Sequence, residues 1–442
     1  MVQNSTTAIF HMVGRCLAGH LAAAAGGDAG YAPTVSVDAT PVDWEQARAL
    51  AYEAGRQAAG PAELISLPEA DGRTLAEPLR ALTDLPAFAT SSIDGWAVRG
   101  PQPWRVVGRV LAGGIAPALD EEGACVEIAT GAMVPAGATA LVRVEESTRD
   151  GAGLVRGEPR ALPDWRLPGE EAAKDEELLP AGTAVDPAVI GVAATCGYET
   201  LSVLPRPRAG VLVFGDELLT AGTPGAGRVR DSLGPQVPGW LRRCGATVEP
   251  AAVAGPVRDT LPAHLEAVHG ALAAADLVCT TGGTMHGPVD HLHPTLAELG
   301  AEYVVNTVAV RPGFPMLLAR VPGPEGRPRF LAGLPGNPQS AVIALITLVA
   351  PLLAGLQGRP APSLTRVEAG AAVPGRGGFT HLALARLDRD GRIATPVGHV
   401  GSAMLRGLSN AHGFVVVRPG STAAAGDLVP FLPLPLLAGE RP

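Results

Sequence analysis

The chain has 442 residues, 47% of them hydrophobic and 17% charged, with 56 glycines, 42 prolines and a formal net charge of −9. A single hydrophobic core stops growing near about 250–300 residues, so several domains are expected, and the turn-rich composition is that of a globular protein. The acidic balance argues against a broad nucleic-acid or anionic-membrane surface, while leaving room for a local basic pocket that takes a small anion.

Residues 1–40 end in an Ala/Gly tract and match neither a secretory signal nor a packed unit, so a disordered extension is expected there. A helix is predicted from about Val42 ("VDWEQARALAYEAG"), with Asp43 as cap, Gln46 at the capping-box distance and an end by Gly55 or Gly60. Over 85–162, short runs such as "WRVVGRVL", "ACVEIATG" and "TALVRVEES" between Pro/Gly turns predict an inserted β-rich module. The glycines of "GAGLVRG" (151–157) precede no helix, so a nucleotide loop is rejected there.

From 206 to 358 strands alternate with helices, the signature of a parallel sheet covered on both faces. Strands are predicted at "AGVLVF", "ATVEPAAVA", "DLVCTT" and "AEYVVNTVAV", and helices at "VPGWLRRCG", "LPAHLEAVHGALAAA" and "HPTLAELG". A hairpin-like pair, "MLLARV" and "RFLAGL", leads into the apolar run 341–356. That run is broken by Pro351 and is short of the about 18–20 residues of a membrane span, so it is expected to be a core helix. Residues 359–442 read as a last β module, with a Gly-rich turn at "PGRGGFTH". The cysteines Cys16, Cys125, Cys196, Cys244 and Cys279 form no C-x-x-C pair and are expected as reduced thiols of a cytoplasmic protein.

Ligands of open α/β sheets sit beyond the carboxyl ends of the strands. Three such ends stand out: Gly215, Asp216 and Glu217; Thr280, Thr281, Gly282 and Gly283; and Pro335, Gly336, Asn337 and Pro338. Asn337 fits as N-cap and Pro338 as first residue of the core helix, which makes an anion seat, or an ordinary capped helix. Gly282 and Gly283 let backbone donors approach a phosphate. Glu217, Asp259 and Asp290 could hold Mg²⁺, which takes one or two carboxylates together with phosphates, although Asp259 also reads as cap of the helix opening at Pro262. His286, His291 and His293 could ligate zinc with Asp290, but their spacing fits no common zinc site.

Several runs in order resemble the molybdopterin molybdenumtransferases, the bacterial MoeA type that also forms the C-terminal domain of gephyrin. They are "SSIDGWAVRG" (91–100), "IATGAMVPAGATALVRVEE" (128–146), "RLPGEE" (166–171), "GDEL" (215–218), "TTGG" (280–283), "VRPGFP" (310–315), "GLPGNPQSA" (333–341) and "GHVGSAMLRGLSNAHG" (398–413). Ordered agreement of many motifs is more specific than any single glycine loop.

The resemblance implies an α/β multidomain fold. A discontinuous first domain (41–84 plus 163–205) would carry the inserted β-rich second domain (85–162), followed by a molybdopterin-binding three-layer α/β domain (206–358) and a C-terminal β-barrel-like domain (359–442). It implies a homodimer that inserts molybdate into adenylylated molybdopterin with Mg²⁺, releases AMP, and contacts other proteins of cofactor biosynthesis. Asp94, Thr130, Glu217 and Asp290 would be catalytic. Glu170, Glu171, Asp231, Ser232, Thr281, Gly282, Gly283, Arg311, Pro335, Gly336, Asn337 and Ser340 would bind substrate, and Glu217, Asp259 and Asp290 would hold metal. Asp94, Thr130, Glu170 and Glu171 would reach the cleft of the partner subunit.

The chain departs from the family pattern at Val213 and Phe214, where Ser/Thr is usual, and at Thr284 to Pro288, where V-S-V-G-D is usual. Phe314 replaces a lysine and Leu233 an asparagine, so polar groups for phosphate or molybdate are lost. The alternative reading is a weakened or inactive paralogue that binds cofactor or acts as a scaffold.

Overall fold

The computed structural model describes residues 40–285, 287 and 290–437. The expected extension therefore lies, Thr40 apart, outside the described residues, as do Cys16 and His286.

A six-stranded sheet forms the centre, in the spatial order Val253–Val257, Ala209–Phe214, Leu277–Thr281, Arg329–Leu334, Leu317–Val321 and Glu302–Asn306. The first four strands are parallel, and Leu317–Val321 is antiparallel to both of its neighbours, so Glu302–Asn306 runs in the direction of the first four. Alternation along Ala209–Phe214 assigns its side chains to two layers. Val211 and Val213 pack with Leu233, Leu241, Val342 and Leu352, while Leu212 and Phe214 pack with Val268, Leu272, Leu292 and Leu296 on the other face. Helices on both faces complete the three layers.

Prolines moved several boundaries. "ATVEPAAVA" is not one strand: Pro250 opens a 3₁₀ turn to Ala252, and the edge strand runs Val253–Val257 with Pro256 inside it. The helix expected at "VPGWLRRCG" starts earlier and spans Leu233–Arg243, with Pro235 in its first turn and Pro238 in its second. "AEYVVNTVAV" breaks at Thr307, whose φ is +68°, and its end, Val310–Arg311, leaves the central sheet for the C-terminal one. Pro351 does not break the core helix. The helix is continuous over Pro338–Leu356 because a π segment at Leu345–Val349 shifts the hydrogen-bond register just before it. That helix is long and apolar enough to cross a membrane, but its apolar window is 94% buried inside the protein.

The first helix, Trp44–Gln57, is capped as expected, with Asp43 Oδ1 accepting from the Glu45 and Gln46 amides. It packs against Pro338–Leu356 in the central core, where Trp44 Nε1 donates to Thr347 Oγ1 at 3.1 Å. Gly55 does not stop it. A Cβ at Gly55 would lie 2.1 Å from Leu352 O, and one at Gly355 would lie 2.3 Å from Tyr52 O, so the two glycines let the helices cross at backbone contact.

Segments before and after the β-rich insert pair with each other, as in Glu63–Ser66 with Thr200–Val203 and Leu79–Arg80 with Glu177–Leu179. The insert is a second six-stranded sheet that includes Gly95–Arg99, Trp104–Val110, Ala124–Ile128 and Ala140–Arg143. Near the C-terminus, five strands close into a barrel as Thr380–Leu387 pairs with both Ile393–Pro396 and Gly413–Val417. Val310–Arg311 adds to this barrel beside Thr380 and His381, tying it to the α/β core.

Candidate functional site

Two adjoining clefts open at the carboxyl ends of the central strands. The first, of about 600 Å³, is lined by Phe214, Glu217, Arg230, Asp231, Ser232, Leu233, Thr281, Gly282, Gly336, Asn337 and Pro338, with Ala403 and Leu405 from the C-terminal region. Seven of the residues expected from sequence, Glu217, Asp231, Ser232, Thr281, Gly282, Gly336 and Asn337, thus share one wall. Gly282 and Gly283 have φ of +86° and +68°, the left-handed region that glycine adopts without a Cβ penalty. Gly336 packs on Gly282: a Cβ there would lie 3.7 Å from the Gly282 Cα.

Asn337 sits at the N-cap of the core helix, but its side chain makes no capping bond. A nearby helix amide, Gln339 N–H, donates instead to Ser402 O of the C-terminal region at 2.9 Å. The Asn337 amide group is therefore left for the cleft, beside the positive end of the helix dipole. Asp231 Oδ1 accepts from the Leu233 and Gly234 amides, which fixes its carboxylate at the start of the Leu233–Arg243 helix.

The second cleft, of about 820 Å³, lies between the core and the barrel and is lined by Arg311, Phe314, Asn337, Ser340, Arg376, Phe379 and His381, among others. Among the described residues no acid lines it, so its field favours an anion. Asn337 borders both clefts. Arg230, Arg376, Phe379 and His381 are the lining residues that sequence reading missed. The arginines carried a signal, since Arg230 immediately precedes Asp231 and Ser232 and Arg376 lies in the Gly-rich turn.

Other expected residues lie elsewhere. Pro335 and Gly283 belong to the same loops but do not line either cleft. Asp259 is not a helix cap; Thr260 takes that position, and Asp259 Oδ2 accepts from the Asp216 amide at 3.1 Å because it crosses to the neighbouring strand-end loop. Asp290 Oδ2 accepts from the Gly287 amide at 2.7 Å. Among the described residues, no three His, Cys, Asp or Glu side chains gather as a metal cage.

The histidines have structural partners. His291 Nε2 meets Asp259 O at 3.2 Å, and His293, buried, bonds Tyr303 Oη through Nδ1 at 2.6 Å. Phe214 stacks on buried His264 at 3.8 Å between centroids, and burial lowers the pKa of that imidazole against the pull of Asp259.

Asp94 and Thr130 are neighbours at one end of the second sheet, just before Gly95–Arg99 and just after Ala124–Ile128. The Thr130 amide donates to Asp94 Oδ1 at 2.8 Å, and both side chains are exposed. Glu170 Oε2 accepts from the Leu167 amide, and Glu171 beside it is exposed. None of these four lines either cleft of the same chain.

The departures from the family pattern divide by position. Val213 points into the core, and Met285 is 55% exposed and lines neither cleft, so neither removes a group from the cavities. Phe214 and Leu233 form apolar wall in the first cleft and Phe314 forms wall in the second.

A cleft of glycine loops and carboxylates thus meets, at a helix N-terminus, an arginine-bearing cleft that no acid lines among the described residues, an arrangement suited to anionic ligands in a multidomain α/β protein. Comparison with known proteins gives the particular family. Residues 42–197 match the MoeA N-terminal region (domains I and II), 210–355 a probable molybdopterin binding domain, and 366–434 the MoeA C-terminal region (domain IV). The molybdopterin molybdenumtransferase of Staphylococcus epidermidis is 30% identical over 383 residues, 83% of this chain and 89% of that protein. The Bacillus subtilis protein of the same name is 30% identical over 386 residues, 83% and 88% of the two chains. In fold, the MoeA protein of Pyrococcus horikoshii superposes with a TM-score of 0.73 at 23% identity, over 89% of this chain and 99% of that one. The chain belongs to the molybdopterin molybdenumtransferase family, as a transferase of molybdenum cofactor biosynthesis.

Proposed function

We propose that this protein inserts molybdate into adenylylated molybdopterin, with hydrolysis of the adenylate and release of AMP. The observation that carries the reading is the meeting of the two clefts at Asn337, which sets a phosphate-binding surface next to an arginine-lined oxyanion cavity. Gly282, Gly336 and Ser232 supply close backbone and hydroxyl contacts to phosphate. Arg311 supplies a planar donor fork suited to molybdate.

Mg²⁺ fits the first cleft, because Glu217 and Asp231 both bring carboxylates to the wall that the glycine loops share, and Mg²⁺ takes one or two carboxylates with phosphates and water. Glu217 would hold it, with Asp231 beside it; when bound, the ion neutralises charge on the pyrophosphate bridge. Asp259 and Asp290 line neither cleft, shape the neighbouring loops by accepting backbone amides, and are weaker candidates for the metal. In hydrolysis, water attacks phosphorus, the anhydride P–O bond breaks, and AMP leaves with its phosphate oxygens facing the loop donors.

We further propose the division into residues 41–84 with 163–205, 85–162, 206–358 and 359–442, a cytoplasmic location and a homodimer. In that dimer Asp94, Thr130, Glu170 and Glu171 complete the partner's cleft. Their exposure, away from both clefts of their own chain, supports this.

Pure protein given adenylylated molybdopterin, molybdate and Mg²⁺ should release AMP in step with active cofactor. AMP at background level would end the proposal. For the dimer, chains carrying Asp94→Asn and chains carrying Glu217→Gln should each be inactive alone. Mixing them after dissociation should restore about a quarter of normal turnover, since half the dimers are mixed and each has one intact site. No recovery would place all the residues of a site on one chain.

A further inference from the structure

Arg311 is held in an unusual way. Its guanidinium carbon lies 4.5 Å from the centroid of the Phe379 ring and 5.0 Å from that of Phe314, and the two rings meet edge to face at 5.8 Å and 82°. Among the described residues no carboxylate lies within ion-pair distance of it, although it faces the 820 Å³ cleft. A guanidinium is ordinarily oriented by an acid, and an acid here would compete with an anionic ligand for the same charge. Aromatic faces orient the cation through their quadrupole and leave its N–H fork unspent.

The two rings come from separate parts of the chain. Phe314 follows Val310–Arg311, which is paired to the barrel at Thr380 and His381. Phe379 closes the Gly-rich turn "PGRGGFTH", where Gly377 has a φ of +61° and the Phe379 amide donates to Arg376 O. That turn had no role in the sequence reading.

We propose that Phe314 and Phe379 are positioning residues that clamp Arg311 as the fixed oxyanion contact of the second cleft. The inference rests on the reading that this cleft takes molybdate. It gives Phe314 a purpose in place of the lysine that the family resemblance leads one to expect: the ring orients a cation already in the cavity, where a lysine would add another mobile one beside Arg311 and Arg376. A preoriented fork loses less side-chain freedom on binding, so the clamp acts on affinity for the oxyanion and not on the later bond breaking.

The test uses the full-length protein and molybdate alone as probe, with affinity read by calorimetry. Phe379→Leu, which keeps apolar bulk and removes the ring, should raise the molybdate Kd about two- to fivefold, and Phe314→Leu with Phe379→Leu about tenfold. Phe379→Tyr should restore the normal value. In turnover the KM for molybdate should follow the Kd while kcat at saturation stays level. The Arg311 Nε–H resonance should show an upfield ring-current shift that is lost in Phe379→Leu.

Arg311→Ala should weaken binding by about tenfold or more. If it does, while both leucine variants bind normally, the clamp is wrong and the molybdate reading of the cleft survives. Molybdate binding unchanged by Arg311→Ala, or absent from the unaltered protein, overturns that reading and the clamp's role with it. An unshifted Arg311 resonance in the unaltered protein shows that no clamp exists in solution.

Discussion

Glu217→Gln should lower kcat for AMP release about 100- to 1000-fold, the scale on which loss of one preorganised charged contact to a reacting phosphate acts. The substitution is isosteric and the side chain is exposed, so thermal stability should move little. The backbone of Glu217 is independently held, its carbonyl accepting from the Val229 amide at 3.1 Å. Since the lost group is an Mg²⁺ ligand in the proposed mechanism, raising Mg²⁺ should recover part of the rate. Turnover within threefold of normal would remove Glu217 from the metal role and leave Asp231 as the carboxylate on that wall.

The second large effect concerns stability and has a sign that discriminates between local and tertiary reasoning. Helix propensity alone predicts that Gly55→Ala stabilises an interior helical position by about 1 kcal/mol. Packing predicts the reverse. The new Cβ would lie 2.1 Å from Leu352 O and 3.0 Å from Leu356 N, both backbone atoms that no rotamer change can move away. Overpacking of that kind costs about 1–3 kcal/mol or more, so a net loss of about 2 kcal/mol is expected, with a lower unfolding midpoint by calorimetry. Gly355→Ala should behave alike, because its Cβ would lie 2.3 Å from Tyr52 O and 2.6 Å from Arg56 N. Equal or higher stability in both variants would mean that the two helices separate at little cost.

Much of the site was legible because its determinants are local. A double glycine after a buried strand, a Glu after a strand-end glycine and an Asn-Pro at a helix start each require only a few neighbouring residues. All three reached the same wall, at Gly282, Glu217 and Asn337. Met285, inside the departing run that follows the glycine loop, faces solvent and lines neither cleft, so that departure does not reach the cavities through it. Asp259 was read as a helix cap from its place before Pro262, whereas its carboxylate is taken by an amide on another strand end. Of the two expected ends of the first helix, Gly55 and Gly60, the helix passes the first and stops at Gln57 ahead of the second, because Gly55 serves the close approach of another backbone.

By itself the sequence determined the family resemblance, the alternation of strand and helix from 206 to 358, and the loops that carry phosphate chemistry. Those properties are set by periodicity, glycine conformations and caps over a few residues. Tertiary structure alone decided that Val310–Arg311 would leave the central sheet for the barrel, and that Ser402 would accept a helix amide while Asn337 stayed uncapped toward the clefts. It also decided that Phe379, far along the chain, would meet Arg311. Each of these depends on contacts between segments remote in sequence, whose energies come from burial and closure of the whole core, so no local pattern encodes them.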